Sequence, residues 1–301
     1  MYYDFVIVGG GPAGLTAAVY GLRAGLSVVL LEELAPGGQL MVTPEVENYP
    51  SWQKISGWEL AAKIAEQATA AGCEIRHEHV TGLRVTDRGP VAETAAGTYE
   101  AGAVILANGA RRRKLGCPGE AELTGRGVSY CAVCDGAFFR GKTVCVVGGG
   151  NTALEDALYL AGVCEKVYLI HRRDTFRGER RLADAVLASE KITFLPGTSV
   201  AAVEGERRVE RVQLTGTHAG PLAVDGVFVA IGLAPDNGAF AGVVPLDEAG
   251  YVAAGEDCRT GVPGVYAAGD TRAKAVRQIL TAAADGAVAA TLAAAELHAR
   301  H

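Results

Sequence analysis

The chain has 301 residues, 49% of them hydrophobic and 40 of them glycine, with a formal net charge of -6. That is long for one hydrophobic core and points to two domains, with glycines set among Val, Ile and Leu runs that mark tight turns and not disorder. An acidic balance, with no Lys/Arg cluster beside an apolar segment, argues against nucleic acid or a membrane as partner.

Met1 leads directly into an apolar strand holding Asp4, without a charged leader or cleavage site, and no uninterrupted apolar run approaches the ~20 residues of a membrane span. A cytoplasmic location is expected. The strand, Tyr3 to Val8, is followed by Gly9-Gly10-Gly11-Pro12-Ala13-Gly14, a helix over Ala13 to Ala24, and a second strand, Ser27 to Leu31, ending in Glu32-Glu33. This is a dinucleotide-binding pattern in its required setting. Gly9, Gly11 and Gly14 let backbone approach a pyrophosphate at a helix N-terminus, and Glu32 is placed to accept ribose hydroxyls.

An irregular stretch follows, from Pro36-Gly37-Gly38-Gln39-Leu40 to Glu45-Val46-Glu47-Asn48-Tyr49-Pro50, suited to a loop over a ligand. Next come a helix from Trp58 to Ala71 and strands at Glu74 to His77, Val80 to Thr86, Thr98 to Tyr99 and Ala103 to Ala107. The basic run Arg111 to Lys114 reads as a solvated linker without chemistry.

Reactive side chains gather at Cys131-Ala132-Val133-Cys134-Asp135-Gly136. Two thiols at this spacing can close a small disulfide, and such loops often bring a thiol from ~8.5 toward ~7. The same spacing is half of a zinc site, and the pair could also be two core thiols. The other five cysteines are singletons and no closely spaced His pair accompanies them, so no metal is expected.

A new strand, Lys142 to Val147, opens a second glycine loop in which Gly148, Gly150 and Ala153 repeat the positions of Gly9, Gly11 and Gly14. Strand Lys166 to Ile170 repeats Ser27 to Leu31. Glu32 lies 23 residues after Gly9, and His171 lies 23 after Gly148. An acid in the first unit is thus replaced by His171-Arg172-Arg173, with Arg177 further on. Guanidinium forks bind a 2'-phosphate that a carboxylate would repel, so the second site should prefer NADPH to NADH. A β-rich piece from Thr193 to Leu222 and a strand from Val227 to Ile231 make this unit a shorter copy of the first, inserted before the first unit's tail. That tail holds a strand, Gly264 to Ala268, ending at Gly269-Asp270, and an Ala-rich helix from Val276 to Ala299. One face of the helix is expected to carry Ile279, Leu280, Ala283, Ala287, Val288 and Leu292 inward. Its start, at Arg277-Gln278, favours negative charge such as that of a reduced flavin. The expected fold is α/β, with two Rossmann-like, three-layer ββα nucleotide-binding domains, the second (115–242) inserted in the first (1–114 and 243–301).

GGGPAG, GGQL, EVENYP, CAVCDG, GGGNTALE, HRRDTFR, GVFVAIG and AAGD followed by RQ together resemble the low-molecular-weight thioredoxin reductases over essentially the whole chain. The resemblance implies a homodimeric enzyme passing electrons from NADPH through FAD to its own disulfide and then to thioredoxin. It implies that Cys134 faces the flavin, Cys131 attacks thioredoxin and Asp135 gives and takes protons. Gly38, Gln39, Leu40, Asn48, Gly269, Asp270, Arg277 and Gln278 would join the first glycine loop in lining FAD. Asn151 and Thr152 would join the second in holding NADPH. It further implies an inserted domain that swings about Arg113 to Gly116 and Ala241 to Val244. Val133, Ser51 and Asn108 depart from the family's usual Thr, Gly and Thr, and none of them removes a reacting atom. Another small dithiol protein as acceptor, a peroxidase-linked reductase and a flavin-binding redox sensor are the alternatives.

Overall fold

A computed structural model describes residues 1–43 and 45–299, so Pro44 in the irregular stretch lies outside the described residues. Two compact units emerge: Met1–Arg111 with the chain from Ala234 onward, and Arg112–Leu233. The first contains β1 (Tyr2–Val8), α1 (Pro12–Arg23), β2 (Val28–Glu32), α2 (Gly57–Ala70), β3 (Glu74–His77), β4 (Val80–Thr86), β5 (Gly89–Thr94) and β6 (Gly97–Leu106). After β7 (Ala110–Arg112), the second unit runs through α3 (Glu120–Leu123), β8 (Val128–Ser129), α4 (Ala132–Asp135), β9 (Thr143–Val147), α5 (Asn151–Val163), β10 (Lys166–Ile170) and α6 (Arg180–Ala188). It continues with β11 (Ile192–Leu195), β12 (Thr198–Glu204), β13 (Arg211–Gly216), β14 (Gly220–Ala223) and β15 (Gly226–Val229). The chain returns through β16 (Leu233–Pro235) to β17 (Val265–Ala267) and α7 (Ile279–His298).

The first sheet has the order β3-β2-β1-β6-β5-β4, with β17 also on β6. Its β3, β2, β1, β6 and β17 pairings are parallel and its β6-β5-β4 meander is antiparallel. Two expected short strands, Thr98 to Tyr99 and Ala103 to Ala107, are one strand of 10 residues. Its start pairs with β5 (Thr98↔Glu93) and its end with β1 (Val104↔Val6), which joins meander to parallel sheet. The second unit repeats the plan with a parallel sheet, β11-β10-β9-β15-β8, and an antiparallel sheet, β12-β13-β14. Both units are Rossmann-like, the second inserted in the first.

The units divide somewhat earlier than 114/115 and 242/243, because the segment after β16 bonds within the first unit. Asn237 donates to Gly250 O at 3.0 Å and accepts from Thr271 Oγ1 at 2.7 Å. The segments expected to flex are likewise fastened inside their own units. Leu115 and Gly116 donate to Glu120, and Val244 is buried in a cluster with Phe240 and Val252.

Helix α7 corrects one expectation. Its inward face is Ala282, Asp285, Gly286, Ala289, Ala290 and Ala293, while Leu280 is 48% exposed and Val288 is also exposed. Small residues govern the packing because α1 passes very close: a Cβ on Gly286 would lie 2.1 Å from Ala13 O. The helix has 20 residues with a mean hydropathy of 1.3, so length and composition alone would let it cross a bilayer. The apolar run is nevertheless interrupted, by Asp285 and Glu296. The Asp285 carboxylate is buried and ion-paired, and the helix packs as a core element of the first unit.

Candidate active site

The turn after β1 exists because two backbones approach closely. Gly9 adopts φ +102°, and a Cβ there would sit 2.4 Å from Ala107 O; Gly148 after β9 adopts φ +154°, with Ala230 O at 2.2 Å. No L side chain fits either position. At the mouths of the loops the space opens instead: a Cβ on Gly11 or Gly150 would meet nothing within 4 Å. Helices α1 and α5 therefore present free N-termini to open space, which suits a phosphate.

The structure brings the first unit's expected residues together. Glu32 Oε2 accepts the Gly10 amide at 2.6 Å and Oε1 the Leu34 amide at 3.0 Å, which fixes the carboxylate at the strand end. Gly37 donates to Gly10 O at 2.7 Å, bringing Gly38 against Gly11, and a Cβ on Gly269 would lie 2.8 Å from Ala13 Cβ. Gln39 Nε2 donates to Ala110 O at 3.3 Å, and Leu40 is buried beside Leu60. Asn48 Nδ2 reaches Gln278 Oε1 at 3.0 Å across 230 positions. Arg277 stacks on the Tyr251 ring at 4.0 Å. Buried Asp270 Oδ1 and Arg277 Nε have no partner. Burial pushes the Asp270 carboxyl up, against the pull of Lys274 and Arg277.

In the second unit His171 is 5% exposed, and its ring lies against Gly149. Nε2 has no partner. Burial, then Arg177, Arg173 and Arg172, pull its pKa down, so the ring is neutral at pH 7. The Arg177 amide donates to Gly149 O at 2.7 Å. Asn151 exchanges hydrogen bonds with Glu179, Thr152 is exposed, and Ala153 is buried under the loop. Arg172, Arg173 and Arg177 are exposed, and among the described residues none makes an ion pair.

Cys131, at the N-cap of the single turn α4, forms a disulfide with Cys134 inside it, and the Cys134 amide donates to Cys131 Sγ at 3.2 Å. Cys134 is exposed and Cys131 half-buried. Asp135 does not cap the following turn; its Oδ2 accepts from Ser129 Oγ at 2.6 Å. Burial raises the thiols of the five remaining cysteines, to about 11 at Cys73 and about 12 at Cys258. Phe138, four residues beyond Cys134, is 74% exposed.

Three clusters escaped the sequence reading. Asp285 is gripped by Arg272 (2.8 Å to each oxygen), Lys274 (2.7 Å) and the Gly269 amide (2.9 Å), directly beside Asp270. Glu120, 3% exposed, accepts from the Leu115 and Gly116 amides, both at 2.7 Å, and from the Tyr130 hydroxyl at 2.8 Å. Arg111, expected to be merely solvated, pairs with Glu33 and Asp236 at 3.0 Å. None of these contacts has a local spacing that would announce it.

The residues fit the cofactors the pattern implies. Each glycine loop faces open space at a helix start, and the unpartnered Asp270 Oδ1, Arg277 Nε and His171 Nε2 call for polar ligands. The chain is 45% identical to a thioredoxin reductase of Listeria innocua over 95% of this chain and 91% of that protein. It is 44% identical to one of Treponema pallidum, covering 97% and 96%. The crystal structure of Lactococcus lactis thioredoxin reductase in its FR conformation aligns with a TM-score of 0.92 at 40% identity, covering 98% and 99%. Residues 3–286 match the pyridine nucleotide-disulphide oxidoreductase family. The chain belongs to that family and, within it, groups with the thioredoxin reductases.

Proposed function

We propose that this chain is an NADPH-dependent thioredoxin-disulfide reductase, moving two electrons from NADPH through FAD to the Cys131–Cys134 disulfide and on to oxidised thioredoxin. One observation carries the reading: the disulfide lies in the unit that also holds the arginine-flanked glycine loop, in a chain 45% identical to a thioredoxin reductase. Family membership implies a flavin and a pyridine nucleotide; FAD and NADPH are the specific proposal. The reading extends to a cytoplasmic homodimer without nucleic-acid or membrane partners, in keeping with a net charge of -6.

The loop Gly9 to Gly14 with Glu32 would hold the FAD pyrophosphate and ribose, and Gly38, Gln39, Asn48, Asp270, Arg277 and Gln278 its flavin half. FAD, when bound, relays an electron pair between a hydride donor and a disulfide. The start of α7 stabilises negative charge placed before it. Gly148, Gly150, Asn151 and Thr152 would cradle the NADPH pyrophosphate, with His171, Arg172, Arg173 and Arg177 around the 2'-phosphate. Once the disulfide is reduced, the Cys131 thiolate attacks the thioredoxin disulfide, and Cys134 then attacks Cys131 Sγ in the mixed disulfide. Both electrons leave with the thioredoxin thiols, and Asp135 carries protons between sulfurs.

The decisive assay is continuous turnover with thioredoxin, run with NADPH and NADH in parallel. A protein that consumes one equivalent and halts is a sensor, and the proposal falls. Replacing Arg172 and Arg177 together by alanine should cut the NADPH-over-NADH preference by ~100-fold or more, since charge-assisted bonds contribute ~1.5 to 3 kcal/mol each. An unchanged ratio would place the phosphate elsewhere. The disulfide and the second nucleotide site share one unit, and both must serve a flavin held by the other. The inserted unit is therefore proposed to turn between half-reactions. A cross-link joining the two units should stop turnover, and full activity of the linked protein would refute the turning.

A further inference from the structure

Ser129 ends β8, whose pairing with β15 (Ser129↔Phe228) fixes its backbone in the sheet, and the side chain is 5% exposed. Its single oxygen makes three contacts: Asp135 Oδ2 at 2.6 Å, the Cys131 amide at 3.0 Å and Cys131 O at 3.2 Å. A hydroxyl has one proton and two lone pairs, so these contacts cannot all be fixed hydrogen bonds of one kind.

With Asp135 ionised, the hydroxyl proton belongs to Oδ2, the nearest acceptor, while a lone pair receives the Cys131 amide. With Asp135 protonated, the carboxylic O–H donates to Oγ, and the hydroxyl turns its own proton to Cys131 O. The amide contact survives in both cases. Two protonation states of Asp135 are therefore accommodated by rotation of one O–H bond, without movement of a heavy atom.

We infer that Ser129 is a positioning residue for thiol–disulfide exchange, a hydroxyl swivel that holds the Asp135 carboxyl in place whether or not it carries a proton and ties it to the backbone of Cys131. The inference rests on Asp135 acting as the proton carrier. When the dithiol reduces a disulfide substrate, the Cys131–Cys134 bond forms and the substrate's S–S bond breaks. Two electrons and the two thiol protons pass to the substrate, one proton waiting on Asp135 Oδ2. A serine that merely capped the Cys131 amide would need only a lone pair. Here the shortest of the three contacts is the one to the carboxylate.

Threonine and valine at this position have nearly the same shape and differ by the hydroxyl, so the pair separates chemistry from packing. Ser129→Thr and Ser129→Val would each be made alone and with Asp135→Asn. The prereduced enzymes would be mixed with oxidised thioredoxin and, separately, with a small aromatic disulfide, and followed across pH. With Asp135 present, the valine variant should reduce both substrates about tenfold more slowly than the threonine variant, with a displaced pH profile. With Asp135→Asn, the two should be equal. Equal rates with Asp135 intact, or a difference that persists in Asp135→Asn, would overturn the swivel alone. Wild-type rates in Asp135→Asn itself would remove the proton carrier and the inference with it.

Discussion

Serine at position 134 is expected to lower NADPH-driven thioredoxin reduction by at least about 10⁴-fold, since deleting a covalent nucleophile can cost on the order of 10⁶-fold. FAD should remain bound and its absorbance should still be bleached by NADPH, because the second glycine loop is untouched. The same loss is expected for Cys131→Ser, but the two differ in what they trap. Cys134→Ser retains the attacking sulfur and lacks the resolving one, so with a single-cysteine thioredoxin activated as an aromatic mixed disulfide it should release the aromatic thiol and form a covalent complex that survives non-reducing electrophoresis and dissolves in dithiothreitol. Cys131→Ser should not. Capture by Cys131→Ser instead would exchange the two roles, and turnover by either variant would dismiss the disulfide as the relay.

The second large effect is on stability. Asp285 is 6% exposed and faces two cations, Arg272 and Lys274; Asp285→Ala leaves Lys274 without its carboxylate and Arg272 with only the longer pair to exposed Glu256 at 3.5 Å. Removing one partner of a buried pair typically costs about 3 to 5 kcal/mol, which for units of this size lowers the midpoint of thermal unfolding by roughly 10 °C. Burial alone would raise the Asp285 carboxyl, yet the Arg272, Lys274 and Gly269 hydrogen bonds outweigh it and hold it below the ordinary range. A depressed carboxylate contributes stability that is complete above its unfolded pKa of ~3.9 and fades as pH falls through the folded value. The stability advantage of the wild-type chain over Asp285→Asn should therefore shrink on acidification below about pH 4. Parallel curves down to the acid limit would show that the carboxylate's charge is not what matters.

The two glycine loops could be read from sequence because their determinants are local: strand, tight turn and helix start fall within a dozen residues. The Cys131–Cys134 pair was legible for the same reason, and the exchange of Glu32 for His171 appeared once the loops were aligned on one another. Asp285, Ser129 and Glu120 were not legible. Each is an ordinary residue type whose partners lie at separations without periodicity, as when Asp285 meets Arg272 13 positions away or Ser129 meets Asp135 six positions away. The inward face of α7 misled for a physical reason. Amphipathic reading weights large side chains, yet here contact with α1 is so close that only glycine and alanine fit, and Leu280 and Val288 are turned outward. Strand β5 was missed because Gly89-Pro90 looks like a turn, although its ladder to β6 is complete from Val91 to Thr94.

A single carboxylate, that of Glu120, grips the backbone just past the entrance to the inserted unit and also the tyrosine immediately preceding Cys131. The threshold of that unit and its pair of sulfurs are thereby riveted into one lever. The turning proposed above would bend the chain at its two crossings, near Arg111–Arg112 and Leu233–Ala234, both outside this tie.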